Sequence, residues 1–323
     1  MSRVLVTGGS GFLGSHAVAA LAAHPAVSLV VSADVREPAS APDGVVVERC
    51  DVTDAASVAS VIEQHRIDTV VHLAAIVNPG TVGEDVEERV DVGGTRNVLD
   101  AAIAGGVRRI VVSSSGAAYG YHADNAEWLT ESDPIRGNEE FSYSRHKRRV
   151  EEMLAAARTQ HPGLEQVILR IGTILGPGVA NQITALWDGP RLLRVAGSDS
   201  PFVFAWVDDV VGAIVAGATG TATGAFNVAG DGRMTVSEIA AALGKGTITV
   251  PAWMLSLALR IGHALRLTVH GHERVGFLQY RPVLDNTRLK TVLGYTPGKT
   301  SREAFDAYLA LRAGRSSTGS RLG

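Results

Sequence analysis

The stretch that most limits what this chain can become lies near its start. A short apolar run, Arg3-Val-Leu-Val-Thr7, feeds Gly8-Gly9-Ser10-Gly11-Phe12-Leu13-Gly14, and apolar residues from Ala17 to Leu21 then follow at helical spacing. Gly8 permits a tight reversal, Gly11 lets the backbone approach a pyrophosphate, and Gly14 lets the new helix pack close to the strand. The free amides at the start of that helix, from Gly11 through Phe12, Leu13 and Gly14, then face the phosphates. A glycine triplet alone fits a ligand-free turn equally well. Here it stands between a strand and a helix, and Asp34 lies at the distance from which an acid takes a ribose hydroxyl.

Strand and helix patterns alternate from there: Val4–Thr7, a helix to Ala23, Leu29–Ala33, Val45–Val47, a helix from Asp54 to His65, and Val70–Leu73. This is the rhythm of parallel βαβ units. Asp34 ends the second strand, where its carboxylate can accept both adenosine ribose hydroxyls and repel a 2′-phosphate, so NAD is the expected cofactor. Arg36 keeps NADP open, because it can neutralise a 2′-phosphate or stack on adenine; it can equally be an exposed loop arginine. Asp51-Val52 follow the third strand. Asp51 can accept from the adenine amino group, or the cluster with Thr53 and Asp54 can serve as a helix N-cap.

The fourth strand ends in His72-Leu73-Ala74-Ala75, whose small residues let the backbone come close to the cofactor, while His72, inside the apolar run, is expected to be buried and structural. A long helix is expected from Val86 to Ala104, then a buried strand from Val107 that delivers Ser113, Ser114 and Ser115 to the crevice. The polar stretch from Asp124 to Glu140 reads as a surface loop, and a helix is expected from Glu139. On it Tyr143 and Lys147, four apart, share a face. An ammonium beside a phenol stabilises the phenolate, which makes Tyr143 usable as a base near neutrality, although Tyr-x-x-x-Lys also arises often by chance.

Composition excludes several other classes. With 323 residues, 46% hydrophobic and 20% charged, the chain suits a soluble protein with a sizeable core, and a net charge of -3 supplies no global field for nucleic acid or an acidic membrane, while leaving local basic clusters open. The single Cys50 excludes an intrachain disulfide and argues against a cysteine metal site; no metal is expected. No signal-peptide pattern precedes the first strand, so the expected compartment is cytoplasmic. The most apolar late stretch, Pro251 to Leu259, is cut by Arg260, His263 and Arg266 short of the roughly 20 residues of a membrane span. It reads as an amphipathic helix whose Trp253, Met254, Leu257, Leu259, Ile261 and Leu265 pack in the core or line an apolar substrate pocket, with contact at a membrane surface the minor alternative. Residues 315–323 read as a flexible tail.

Seven ordered motifs carry a family resemblance: Thr7 to Gly14, Asp51-Val52, His72 to Ala75, Gly94-Thr95, Ser113 to Gly120, Tyr143-Ser-Arg-His-Lys147, and Leu169 to Pro177. Together they resemble the extended short-chain dehydrogenase/reductase family, of the NAD-dependent epimerase/dehydratase type, and the resemblance covers nearly the whole chain. It implies an α/β fold with a doubly wound parallel (Rossmann) sheet over residues 1–172, to which later segments return, and a smaller substrate-binding lobe, mainly over 173–314. It also implies a proton relay: Tyr143 as acid or base, Ser115 positioning the substrate oxygen with Ser114 in reserve, and Lys147 holding the ribose hydroxyls and tuning Tyr143. The Ile171 backbone would meet the nicotinamide carboxamide. Relatives pair the long helices that begin here near Val86 and Tyr143, so a homodimer is expected, and Asp209 reads as a helix N-cap.

Departures from the family pattern bear on substrate. Asp91 stands where the family often has Asn. Gly116-Ala117 replace the Asp-Glu pair of sugar 4,6-dehydratases, which disfavours dehydration. Thr173 replaces an asparagine that holds substrate phosphate in many relatives, and Ser200-Pro201 stand where an arginine often lies; Arg191, Arg194 and Arg281 are candidate replacements or solvated arginines. The expected function is NAD(P)-dependent hydride transfer at a secondary alcohol or ketone carbon, with a nucleotide-sugar epimerase as one form. The alternatives are a reductase of a small apolar, sterol- or flavonol-like ketone, and a non-catalytic NAD(P)-sensing protein.

Overall fold

A computed structural model of the chain describes residues 1–77, 82–179, 182–265, 271 and 274–319. The first half builds β1 (Ser2–Thr7), α1 (Phe12–Ala22), β2 (Val27–Asp34), β3 (Val46–Arg49), α2 (Ala55–Gln64), β4 (Thr69–His72), α3 (Glu84–Glu88), α4 (Gly94–Ala104), β5 (Arg109–Ser115), α5 (Ser142–Gln160) and β6 (Glu165–Ile171). The second half builds β7 (Thr173–Leu175), α6 (Gln182–Ala185), β8 (Arg191–Val195), β9 (Phe204–Trp206), α7 (Val207–Thr219), β10 (Gly224–Val228), α8 (Val236–Ala242), β11 (Gly246–Val250), α9 (Ala252–Ala264), α10 (Arg274–Gln279), α11 (Thr287–Thr291) and α12 (Ser301–Gly319).

Seven strands form one parallel sheet in the order β10-β6-β5-β4-β1-β2-β3. The chain winds one way from β1 through β2 to β3 and then back through β4, so the strand ends diverge between β1 and β4, where a doubly wound sheet opens its ligand crevice. Strands such as β4 are buried along their whole length because helices cover both faces. One face packs Leu5, Val70 and Ile110 under α2, α4 and α5, and the other packs Val6, Val71 and Val111 under α1 and α7. Two parallel pairs, β7 with β9 and β8 with β11, build the smaller lobe. Its core is aromatic: the buried Trp187 ring meets Phe202, Phe204, Phe305 and Tyr308 at 5.2–6.1 Å between centroids.

Local chemistry explains most element starts. Asp54 rather than Thr53 caps α2, its carboxylate accepting from Ala56 N at 3.0 Å, and Thr235 and Glu238 form a reciprocal capping box on α8. Four readings change. The long helix is not uniform: α3 and α4 are joined through a π-helical turn, Arg89–Gly93. The helix expected at Glu139 starts at Ser142. Asp209 is not an N-cap, for α7 begins two residues earlier; its carboxylate instead accepts from Tyr295 Oη at 3.0 Å, Gly298 N at 2.6 Å and Lys299 N at 3.3 Å, tying a late segment onto α7. The backbone is helical to Gly319, across part of the stretch read as a tail, and residues 320–323 lie outside the described residues. Among the described residues no helix is long and apolar enough to cross a membrane.

Candidate active site

The glycine turn is pressed against the end of β4. Gly8 takes φ +72°, and a Cβ there would stand 2.7 Å from Ala74 N; a Cβ on Gly14 would stand 2.0 Å from Gly8 O. Larger residues would force the backbone apart at both points. Helix α1 starts without a side-chain cap, which leaves its first amides facing the crevice. Gly8, Gly11, Phe12, Leu13 and Gly14 form one wall of a cavity of about 500 Å³.

The same cavity is lined by Arg36, Leu73, Ala75, Ser113, Ser114, Ser115, Tyr143, Lys147 and Ile171. Asp34 is at the end of β2 beside it, its carboxylate accepting from Ser10 N at 3.2 Å and Arg36 N at 3.1 Å, while the Arg36 side chain is largely exposed. Four expected cofactor residues do not line the cavity: Asp34, beside it, and three that are engaged elsewhere. Asp51 turns back onto Thr53, accepting from its amide at 2.9 Å and its hydroxyl at 2.8 Å; Val52 is buried under Gly94; Ala74 backs the Gly8 turn.

Strand β5 and helix α5 bring the polar groups together. Ser115 Oγ accepts from Ala117 N at 3.2 Å, which begins the single 3₁₀ turn Gly116–Tyr119 and leaves the hydroxyl proton available to the cavity. On α5, Lys147 Nζ stands 5.6 Å from the centre of the Tyr143 ring and donates to Ser113 O at 3.2 Å. Lys147 is 6% exposed, and no carboxylate pairs with it among the described residues.

His72 is structural. Its Nδ1 lies 2.7 Å from Thr7 Oγ1 and its Nε2 3.0 Å from Thr95 Oγ1. Thr95 spends its own proton on Asp91 O at 2.5 Å, so the network assigns the imidazole proton to Nε2, with Nδ1 accepting from Thr7. Burial, helped by the nearby Lys147 charge, holds the ring down at about 4, and it is neutral at pH 7. Asp91 holds the segment that leaves β4, its carboxylate accepting from Ile76 N at 2.7 Å.

Under the serines runs a buried ion pair. Glu151, one turn beyond Lys147, accepts from Ser114 Oγ at 2.6 Å and from Arg170 Nε and Nη2 at 2.7–3.0 Å, with side chains 2% and 6% exposed. Arg170 also donates to Tyr119 Oη at 2.8 Å. Burial pushes the Tyr119 hydroxyl up to about 12, so it remains a phenol.

The far half of the cavity is aromatic and cationic. Tyr121, Phe141 and Phe277 meet at 5.3–6.2 Å between ring centres, and the Arg281 guanidinium lies 3.8 Å from the Phe202 ring centre. Arg281 Nη1 donates to Ser200 O at 3.0 Å, Nε has no partner among the described residues, and burial lowers the group to about 9. Of the three candidate arginines, only Arg281 lines the cavity; Arg194 is spent on Thr249 and Ser237. Nothing local in the sequence marks Tyr121, Phe141 or Phe277, which the fold gathers from three distant segments. Among the described residues, none of α9 lines the cavity.

The sequence model of the NAD dependent epimerase/dehydratase family matches residues 4–229. An uncharacterized protein of Mycobacterium tuberculosis is 29% identical over 314 residues, covering 94% of this chain and 82% of that one. A dTDP-glucose 4,6-dehydratase of Streptomyces griseus is 28% identical over 329 residues, covering 96% and 93%. Among solved structures, a UDP-glucose 4-epimerase of Thermus thermophilus in complex with NAD superposes with a TM-score of 0.73 at 24% identity, over 96% of this chain and 99% of that one. The chain belongs to the NAD dependent epimerase/dehydratase family, within the extended short-chain dehydrogenase/reductases that its motifs resemble.

Proposed function

We propose that this protein is an NAD-dependent oxidoreductase that works on the carbinol or ketone carbon of a nucleotide sugar, in the manner of an epimerase. The observation that carries the reading is the convergence of Ser115, Tyr143 and Lys147 with the α1 amides on one cavity. The residues fit the cofactor: the uncapped α1 N-terminus receives the pyrophosphate, and the Asp34 carboxylate at the end of β2 favours a free ribose hydroxyl over a 2′-phosphate. When bound, the nicotinamide takes up and returns hydride.

The chain's own groups manage the proton. Tyr143 removes it from the substrate hydroxyl, Lys147 stabilises the phenolate and holds the ribose, and Ser115 donates to the same substrate oxygen. With Gly116-Ala117 after Ser115 no carboxyl pair stands there to eliminate water, so the reading is epimerase rather than dehydratase. Arg281 and Arg274 on the far half favour a substrate that carries phosphate. Trp253 and its apolar neighbours on α9, which would wall a pocket for an apolar ketone, do not line the cavity. A sensor would have no use for the relay.

We also take the enzyme to be cytoplasmic and a homodimer through α3–α4 and α5, which lie side by side through Ser142–Glu87, Arg145–Glu84 and Arg149–Glu88. Light scattering that finds only monomer refutes the dimer. Calorimetric titration with NAD and NADP, and then with UDP- and dTDP-sugars on the NAD complex, tests the function. Tight NAD binding followed by binding and inversion of a nucleotide sugar is expected. Binding of apolar ketones alone would overturn the substrate assignment.

A further inference from the structure

Helix α9 turns its apolar side to solvent. Trp253 is 69% exposed, Met254, Leu257 and Ile261 are exposed along the helix, and Leu265, just past its end, is 63% exposed, whereas Leu255, Ser256 and Leu259 are half-buried. At about 100° per residue the five exposed apolar side chains fall within an arc of roughly 120°. Strand β11 runs into this helix through Pro251, and its exposed Ile248 pairs in register with the exposed Leu193 of β8, extending the apolar surface. Core packing, expected from the sequence, therefore fails here, and so does the pocket wall. An apolar face of this size on a soluble lobe calls for a partner.

Charge says which one. From residue 239 to residue 272 the chain carries Lys245, Arg260 and Arg266, three histidines, and no aspartate or glutamate. Arg260 borders the apolar arc, Arg191 is exposed on the neighbouring strand, and Arg266 lies outside the described residues. A tryptophan-bearing apolar helix whose own stretch of chain carries cations and no acid has the composition of one that lies in the headgroup region of an anionic bilayer. A second copy on the same face would bring the same apolar arc and the same cations, with no acid from this stretch of chain to pair them. We infer that α9, with the Leu193–Ile248 edge, docks this protein reversibly on an anionic lipid surface, parallel to the bilayer and without spanning it. None of these side chains lines the cavity, so docking leaves the active site open.

The test is vesicle flotation of the full chain with phosphatidylcholine alone and with one-third phosphatidylglycerol. Two basic groups near the surface, Arg191 and Arg260, give roughly 30-fold tighter partition to the anionic vesicles, most of it lost at about 0.5 M salt. A Trp253→Ser/Leu257→Ser double variant is expected to lose at least about tenfold in partition while keeping its thermal midpoint and NAD affinity, because both side chains are exposed. In the wild type, nitroxide-labelled lipid quenches fluorescence that the Trp253→Phe variant lacks. Failure to float with anionic vesicles overturns the inference, as does a double variant that floats like the wild type. It is equally overturned if light scattering shows a wild-type dimer that this double variant alone converts to monomer, which would assign the face to a second copy.

Discussion

Replacing Glu151 by Leu removes the charge that balances Arg170 beneath Ser114 and Ser115. The carboxylate accepts three bonds from Arg170 and one from Ser114, and both charged side chains are almost fully sequestered. Taking one partner from such a pair leaves a desolvated charge behind, at about 3–5 kcal/mol. Arg170→Met should cost a similar amount through the opposite orphan, even though Tyr119 keeps Thr130 O and Asn227 Oδ1 as acceptors. Removing both charges in Glu151→Leu/Arg170→Met leaves Ser114 Oγ as the main unsatisfied group, at about 1–2 kcal/mol. Equilibrium urea unfolding of the four proteins closes the cycle, with an expected coupling of at least about 4 kcal/mol. Additive single changes, or singles costing under about 1 kcal/mol, would refute the claim that this pair is desolvated and mutually dependent.

Two further perturbations follow from the site. His72 sits near 4 in the folded chain against 6.5 for a free imidazole, so only the unfolded chain takes up a proton as the pH falls from about 6.5 toward 4, and stability falls with it. Between pH 7.5 and 5 the wild type should lose about 2 kcal/mol more than His72→Gln in urea unfolding, and equal losses would show that the ring is not held neutral. Arg281→Leu should weaken a nucleotide sugar at least about tenfold and leave NAD affinity unchanged in calorimetry; a loss of NAD affinity instead would place Arg281 on the wrong ligand.

Much of the fold was legible because its signals are local. The β1–α1 turn needs glycine where backbones touch, and Gly8 and Gly14 do stand against Ala74 and Gly8 O. Strand and helix periodicities put Ser115 at a strand end and Tyr143 with Lys147 on one helix face. What escaped is set by tertiary contact. The apolar period of α9 announces two faces but not which one is covered, and here the exposed one is apolar. Asp209 precedes an apolar helical run as a cap would, yet its partners lie 86–90 residues further on. Asp51, placed for adenine by its strand end, is captured by the nearer hydroxyl and amide of Thr53. Arg281 looks like any other arginine until Phe202 and Phe277 close around it.

The central claim is that Tyr143 moves the substrate proton in a site that also binds NAD. The most direct measurement is turnover of a nucleotide sugar by wild type and Tyr143→Phe, with NAD affinity of both from calorimetry. In Tyr143→Phe, kcat is expected to fall by about 10²–10⁴ while NAD affinity changes less than about twofold. Turnover that survives in Tyr143→Phe would contradict it, as would a wild type that binds NAD and turns over no alcohol, ketone or sugar nucleotide.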